Sequence, residues 1–289
     1  MKTVTLKSIL TALAAAGGQA FTLDATTSQV TAEQRLQLIA HVNTATRDAW
    51  EFFPWWQCAR LEERQFRPDW SAVPSYALDA EVFDPTTQRY YRSLQAANLN
   101  HAVTLTAWWE PAPDLDCYIS LEPDAYFPAA TEIGTLTDVF DADPRLSAGA
   151  RGSRLIYELR DDRVQFRPDI ATVTVWLSFQ AAAPRLDGTN YSASETVAAG
   201  TVRYYHTTGE CYRALTSTSN VPTNTTDWAP VLLPHHLASA IVQSARAHWL
   251  RADGQDEKAE IAEAKSLNLI ERAIIHATAH VQQHGRFYN

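Results

Sequence analysis

The sequence predicts an α+β protein: helices from both ends of the chain close into a bundle, with a central antiparallel β-domain and two small inserted β-modules hung between them. Three observations predict it. Residues 5–16, 31–54, 234–252 and 256–284 repeat apolar side chains at helical spacing, and all lie toward the chain ends. Residues 172–180 alternate strictly, setting Val173, Val175, Leu177 and Phe179 on one face of a half-buried strand. A stretch at 70–111 also returns, altered, at 191–230. The shared skeleton is an aromatic opener (Trp70, Tyr191), a valine (Val82, Val202), a Tyr-Arg-x-Leu strand (from Tyr91 and Tyr212) and a closing Trp before a Pro (Trp109, Trp228).

In chain order, the first helix carries Leu6, Ile9, Leu10 and Leu13 on one face and stops at Gly17 and Gly18. Lys2 and Lys7 before an apolar run faintly resemble a secretory leader, but the one-sided spacing favours an amphipathic helix. Thr31 and Gln34 have the spacing of a capping box for a second helix with Leu36, Ile39, Val42, Ala45, Ala49 and Phe52, ending near Pro54. Trp50, Phe52, Phe53, Trp55 and Trp56 crowd its last turn and read as core packing. Strands follow at 57–67, at Val82 and Phe83, at 90–94 and around Trp108 and Trp109, then at 117–121, 134–140, 154–160 and 164–167, the last two joined by a hairpin at Asp161 and Asp162. Pro234 suits a first helical position for a helix with Leu237, Ile241, Val242, Ala245 and Trp249, which breaks at Gly254. The last helix, from about Asp256 to His284, carries Ile261, Ala264, Leu267, Ile270, Ile274, Ala277 and Val281 as its apolar stripe, with acids near its start and His and Arg286 near its end, as the helix dipole prefers.

With 46% hydrophobic residues and nine Trp among 289 residues, the chain has the means for a substantial core. Its net charge of −9 argues against coating nucleic acid through a basic surface. Cys58, Cys117 and Cys211 are odd in number and far apart, which favours a reducing compartment over a disulfide framework or a zinc site. No run approaches the ~18 apolar residues of a membrane span.

No phosphate-binding, nucleophile-elbow, metalloprotease or calcium-loop pattern occurs. His276, His280 and His284 share a helix face without evident further ligands, so no metal and no cofactor is expected. The pairs Asp114/Asp116, Asp141/Asp143 and Asp161/Asp162 lie in turns, where Asp serves local backbone hydrogen bonds. No catalytic constellation emerges, and the chain is read as no enzyme.

The two copies resemble the small chitin- and cellulose-binding β-modules of glycoside hydrolases. The resemblance rests on Gly200, Val202, Tyr212 and Trp228 in the second copy, and on Tyr76, Val82, Tyr91 and Trp109 in the first, where Ala80 stands at the place of the glycine. It implies carbohydrate-binding candidates at Trp70, Tyr90, Tyr91, Trp108, Trp109, Tyr204, Tyr205, Tyr212 and Trp228. The competing reading is that these aromatics hold together modules with little other core.

The rest of the chain, 1–69, 114–188 and 232–289, forms the frame, and 70–113 and 189–231 are the insertions. A short helix ending in Gly17, a second helix running from Ile39 through Asn43 and Trp50 into Phe53 and Pro54, a β-domain with Asp143-Pro144-Arg145 and the strand through Val173 to Phe179, and a closing hairpin from His248 through Gly254 to Ala259 are similar to the head-to-tail adaptor, or neck, proteins of tailed bacteriophages. The resemblance implies a structural virion protein, assembled in the host cytoplasm into a ring of usually twelve identical subunits. It also implies contacts with the portal protein and a downstream tail or stopper protein, DNA passing through the channel without sequence-specific binding, and no membrane. The alternative is a carbohydrate-binding protein with two sugar-binding modules on a helical carrier.

Overall fold

The computed structural model describes residues 2–17, 31–55, 58–124, 126–127, 130–146, 152–167 and 173–285, with side chains described as far as Thr278. Gly18, Trp56, Gln57, Pro168, Thr172 and Arg286, and the side chains of His280, Val281 and His284, lie outside the described residues.

Along the chain run β1 (Thr3–Val4), α1 (Leu6–Gly17), α2 (Ala32–Glu51), β2 (Ala59–Gln65), β3 (Ser75–Tyr76), β4 (Glu81–Asp84), β5 (Arg89–Ser93), β6 (Asn98–Leu99) and β7 (Trp109–Pro111). Then come β8 (Tyr118–Ser120), β9 (Ile133–Phe140), β10 (Glu158–Leu159), β11 (Arg163–Gln165) and β12 (Thr174–Ala181). The chain closes with β13 (Val202–Tyr205), β14 (Glu210–Ala214), β15 (Trp228–Pro230), β16 (Leu233–Pro234), α3 (Ala238–Ala252) and α4 (Asp256–Gly285). Helices and small antiparallel sheets are thus mixed, as in an α+β protein. The chain forms two compact units: a helical unit of Met1–Ala59 with Ala182–Asn289, and a β unit of Arg60–Ala181, each holding one copy of the repeat.

In the helical unit, α3 packs against α1, α2 and α4. Leu6, Ile9, Leu10 and Leu13 of α1 are buried in the core they were expected to form. The capping box opening α2 is present: Gln34 N–H donates to Thr31 Oγ1 (3.1 Å) and Thr31 N–H to Gln34 Oε1 (3.0 Å). Along α2 the buried face is Leu38, Ile39, Val42, Ala45, Thr46, Ala49 and Trp50. Leu36 and Phe52, expected inward, are exposed; they fall at the rim of that face. Trp50 and Trp55 are core residues, and the Trp55 indole donates to the Ala49 carbonyl (2.9 Å). Pro234 lies in β16, paired with Thr3 of β1, and a short 3-10 turn (His235–Leu237) intervenes before α3.

The expected stripe on α4 is corrected over its first half. Ile261 (58% exposed), Ala264 and Leu267 face outward, whereas Ala259, Ala262, Ser266, Ile270 and Ala277 are buried. The reason is geometric. Residues three apart on a helix turning about 100° per residue drift by about 60° each step, so Ile261, Ala264, Leu267 and Ile270 walk from the outer face to the inner one.

In the β unit, β12 pairs antiparallel with β9 and lies between it and β2. Val175, Leu177 and Phe179 are fully buried, as strict alternation requires, in a core with Phe66, Ile119, Val139, Val164 and Phe166, whereas Val173, expected on the same face, precedes the strand and is half-buried. The hairpin β10–β11 turns at Asp161 and Asp162 as expected and continues onto β8.

The two copies are one fold built twice. In each, three antiparallel strands form a small sheet: β4-β5-β7 and β13-β14-β15. Their registers match residue by residue: Phe83 faces Tyr90 as Tyr204 faces Cys211, and Val82 faces Tyr91 as Arg203 faces Tyr212. The structural counterpart of Val82 is therefore Arg203, and Val202 corresponds to Glu81. Sequence alone aligned the valines one position out, because matching by residue type does not see the ladder. The glycine of the skeleton shifts too. Gly200 (φ 83°) donates its N–H to the Ala214 carbonyl (2.8 Å) as Asp79 (φ 62°) donates to Ser93 (2.9 Å), so Asp79 rather than Ala80 takes the glycine's place. Asp tolerates the left-handed region better than most side chains, which lets the turn persist without glycine.

Candidate functional site

The chemistry of each module starts at its closing tryptophan. Trp109 and Trp228 are each 1% exposed. Their indole Nε1–H groups donate to the carbonyls of His101 (2.8 Å) and Asn220 (2.9 Å), so each ring is clamped at both its apolar body and its polar tip. Around Trp109 gather Val82, Tyr91, Val103, Trp70, Tyr76 and Trp108; around Trp228 gather Tyr191, Val197, Ala214, Tyr205 and Tyr212. Tyr76 meets Trp109 edge-on at 5.2 Å, and Tyr191 meets Trp228 edge-on at 6.0 Å.

This geometry sorts the nine carbohydrate-binding candidates. Trp109, Trp228, Tyr91 and Tyr204 are buried, so their ring faces meet protein. Tyr90 is half-buried, packs against the β-unit core, and has its hydroxyl enclosed; burial holds its proton well above the usual phenol range. Trp70, Trp108, Tyr205 and Tyr212 are half-buried. Of these, Trp108 lies in a planar stack on His101, at 3.6 Å and 10° between rings. At the corresponding positions the second module has Asn220 and Asp227, joined by a hydrogen bond from Asn220 Nδ2 to Asp227 Oδ2 (2.6 Å). The Asn220 amide, with the Thr218 and Thr216 hydroxyls, holds the Asp227 carboxyl below its ordinary range. The four buried rings therefore offer no face to a ligand, and the aromatic platform belongs to the first module alone.

Sequence reasoning missed the sheet face opposite the aromatic core, by which each module joins its unit. In the second module Tyr204, Cys211 and Val231 enter the core of the helices. Arg35 of α2 lies 4.4 Å from the Tyr204 ring centroid and donates to Asn190 Oδ1 (3.0 Å), while Lys7 N–H of α1 donates to Glu210 Oε2 (3.3 Å). Burial pushes the Cys211 thiol up to about 12 and raises the Glu210 carboxyl. In the first module Phe83 rests on Tyr90 (5.2 Å). Beside them Arg67, only 3% exposed, donates to Glu81 Oε2 (2.9 Å) and the Asp116 carbonyl (3.1 Å), with its guanidinium 4.6 Å from the Tyr118 ring centroid and 5.1 Å from that of Tyr126. The same Glu81 accepts from Arg92 at 2.9 Å. The available signal was the alternation of β4 and β13: both Phe83 and Tyr204 are large and apolar where a free module would show polar side chains.

The acidic turns serve local structure. Asp143 takes three bonds from the Arg145 guanidinium (2.8, 2.9 and 3.2 Å) and Asp162 takes two from Arg163 (2.7 and 2.9 Å). These arginines hold both carboxyls below the usual range, the wrong direction for a general acid. Asp141 accepts from Ser153 N–H (2.6 Å). A cleft of about 440 Å³ beside β10 and β11 brings together Asp116, Glu158, Arg160 and Arg167, with Arg160 ion-paired to Glu158 at 3.3 Å. It balances charge without presenting a nucleophile and base in contact. His276 is exposed, and among the described residues no group of three His, Cys, Asp or Glu side chains is placed to hold a metal ion. Cys58, Cys117 and Cys211 are buried and in no disulfide, and no described helix is long and apolar enough to cross a membrane. No protein-family model matches the chain, and no curated protein matches it.

Proposed function

We propose that this chain is a structural virion protein, a head-to-tail adaptor or neck subunit that forms a ring between portal and tail and lines the DNA exit channel. The observation that carries the reading is the order of parts: α1 and α2 from one end of the chain share a core with α3 and α4 from the other, and a β unit is inserted between them. That is the order the phage resemblance implies. The net charge of −9 suits a channel wall past which a polyanion moves, since a like-charged surface does not trap phosphates. No catalytic role is assigned. The subunit number, usually twelve in the resembled family, and the neighbours, portal above and tail or stopper below, belong to the proposal. Electron microscopy of intact virions tests it: density for this chain in a ring at the neck is expected, and its absence from purified particles overturns the reading.

A second reading, carbohydrate binding, is favoured by one observation, the Trp108–His101 stack. It narrows to the first module. Retention on chitin or cellulose that is lost in Trp108→Ala supports it, and the choice of Trp108 avoids the folding defect that loss of Trp109 or Trp228 brings.

A further inference from the structure

The outer face of α4 has a pattern that folding of one chain does not use. Ile261 (58% exposed), Ala264 and Ile275 (65%) lie on the side opposite the buried Ala259, Ala262, Ser266 and Ile270. Ile261, Asn268 and Ile275 recur every seven residues, the spacing of a seam between two helices. One edge of this stripe carries Lys258, Lys265 and Arg272, again seven apart; the other carries Glu260 and Glu271. Acids and bases are so placed that none stands three or four residues from an opposite charge among these five, so the intrahelical pairs that stabilise a lone helix are forgone. Among the described residues none of the five is in an ion pair, whereas Glu263, nearer the inner side, pairs with Arg251 of α3.

We propose that this stripe is a self-association surface, and that its occupant is α4 of a second copy of the chain lying side by side in the parallel sense. The inference rests on the ring reading and names the contact that would close it. Charge selects both occupant and direction. In a parallel pair the acidic edge of one helix meets the basic edge of the next, with Glu260 opposite Lys265 of the second copy, whereas an antiparallel pair sets like edges together. A rotation axis running along the helices sets the copies parallel, whereas a two-fold axis across them would set them antiparallel.

Sedimentation of the full-length protein over a concentration series tests this. Wild type should self-associate, with a dissociation constant raised about tenfold or more in Ile261→Asp/Ile275→Asp, because each aspartate would be buried unpaired. Glu260→Lys/Glu271→Lys makes both edges basic, and Lys258→Glu/Lys265→Glu/Arg272→Glu makes both acidic. Each variant alone should lose self-association, and the two mixed should associate with one another. Circular dichroism should show all variants folded, since every substituted residue is exposed. A wild type monomeric at its highest soluble concentration, variants that associate like wild type, or reversed variants that ignore each other overturn the stripe. A neck ring in virions that assembles normally with Ile261→Asp/Ile275→Asp removes the stripe and keeps the connector; stripe-dependent association by a protein absent from virions does the reverse.

Discussion

The two modules share one fold yet join different hosts through the same face. Positions 83, 90 and 112 of the first correspond to 204, 211 and 231 of the second. Where the second presents Tyr204, Cys211 and Val231 to the helices, the first rests Tyr90, with Phe83 against it, on the β-unit core and adds the buried Arg67. The entry residues differ in the same sense: Arg67 corresponds to Gly188, where a Cβ would lie 2.5 Å from the Leu36 side chain of α2. A small sheet thus keeps its internal aromatic core constant and varies its outer face to suit the neighbour. The second insertion shares its host's core, and the first rests Tyr90 on its own host's.

The largest expected effect breaks the constant half. Trp109→Ala and Trp228→Ala should each cost about 3–5 kcal/mol in denaturant unfolding, with each loss confined to its own unit. Equal loss in both units from one substitution would show that the modules are not independent cores. Next comes the variable half: Arg67→Ala strips Glu81 of the more buried of its two guanidinium partners and should cost about 2 kcal/mol, the worth of a hydrogen bond to a charged group, since Arg92 still compensates the carboxylate. Arg67→Met, tested alongside, should cost less if stacking on Tyr118 and Tyr126 matters more than charge.

Smaller effects probe the turns. Gln88 (φ 54°) stands where the second module has Gly209 (φ 76°). Gln88→Gly should raise the β unit's stability by up to about 1 kcal/mol, and Gly200→Ala should lower the helical unit's by about the same, despite open space around its added Cβ. The gentlest test is pH. Burial, with His248 beside His41 and His235 beside His236, lowers the pKa of both His41 and His236, and His236 Nε2 is enclosed without a hydrogen-bond partner. A lowered folded pKa means the unfolded chain binds more protons, so this stability is present above about pH 6.5 and lost as pH falls below it. The helical unit should therefore soften on mild acidification, measured by denaturant midpoint at two pH values. An unchanged slope in His41→Asn/His236→Asn would assign the effect elsewhere.

Much of the fold was legible because it is local. The capping box at Thr31 and Gln34, the alternation through Val175, Leu177 and Phe179, the hairpin at Asp161 and Asp162, and the helix break at Gly254 follow from backbone hydrogen bonding and side-chain period. So does the repeat itself. The candidate site was less legible: residue type marked nine aromatics, but whether a ring faces solvent or a neighbour is a property of packing.

The sequence by itself determined the helix cap at Thr31 and the break at Gly254, the apolar face of the strand through Val175, Leu177 and Phe179, and that one small sheet occurs twice, since each depends on residues within a few positions of one another. Only the tertiary structure decided that Tyr204 and Cys211 belong to the helices' core and that Asp79 replaces a glycine. It also decided that the first half of α4's apolar stripe faces outward. Those outcomes depend on which surfaces meet after the chain has closed on itself, and burial is assigned by that meeting rather than by the residues alone.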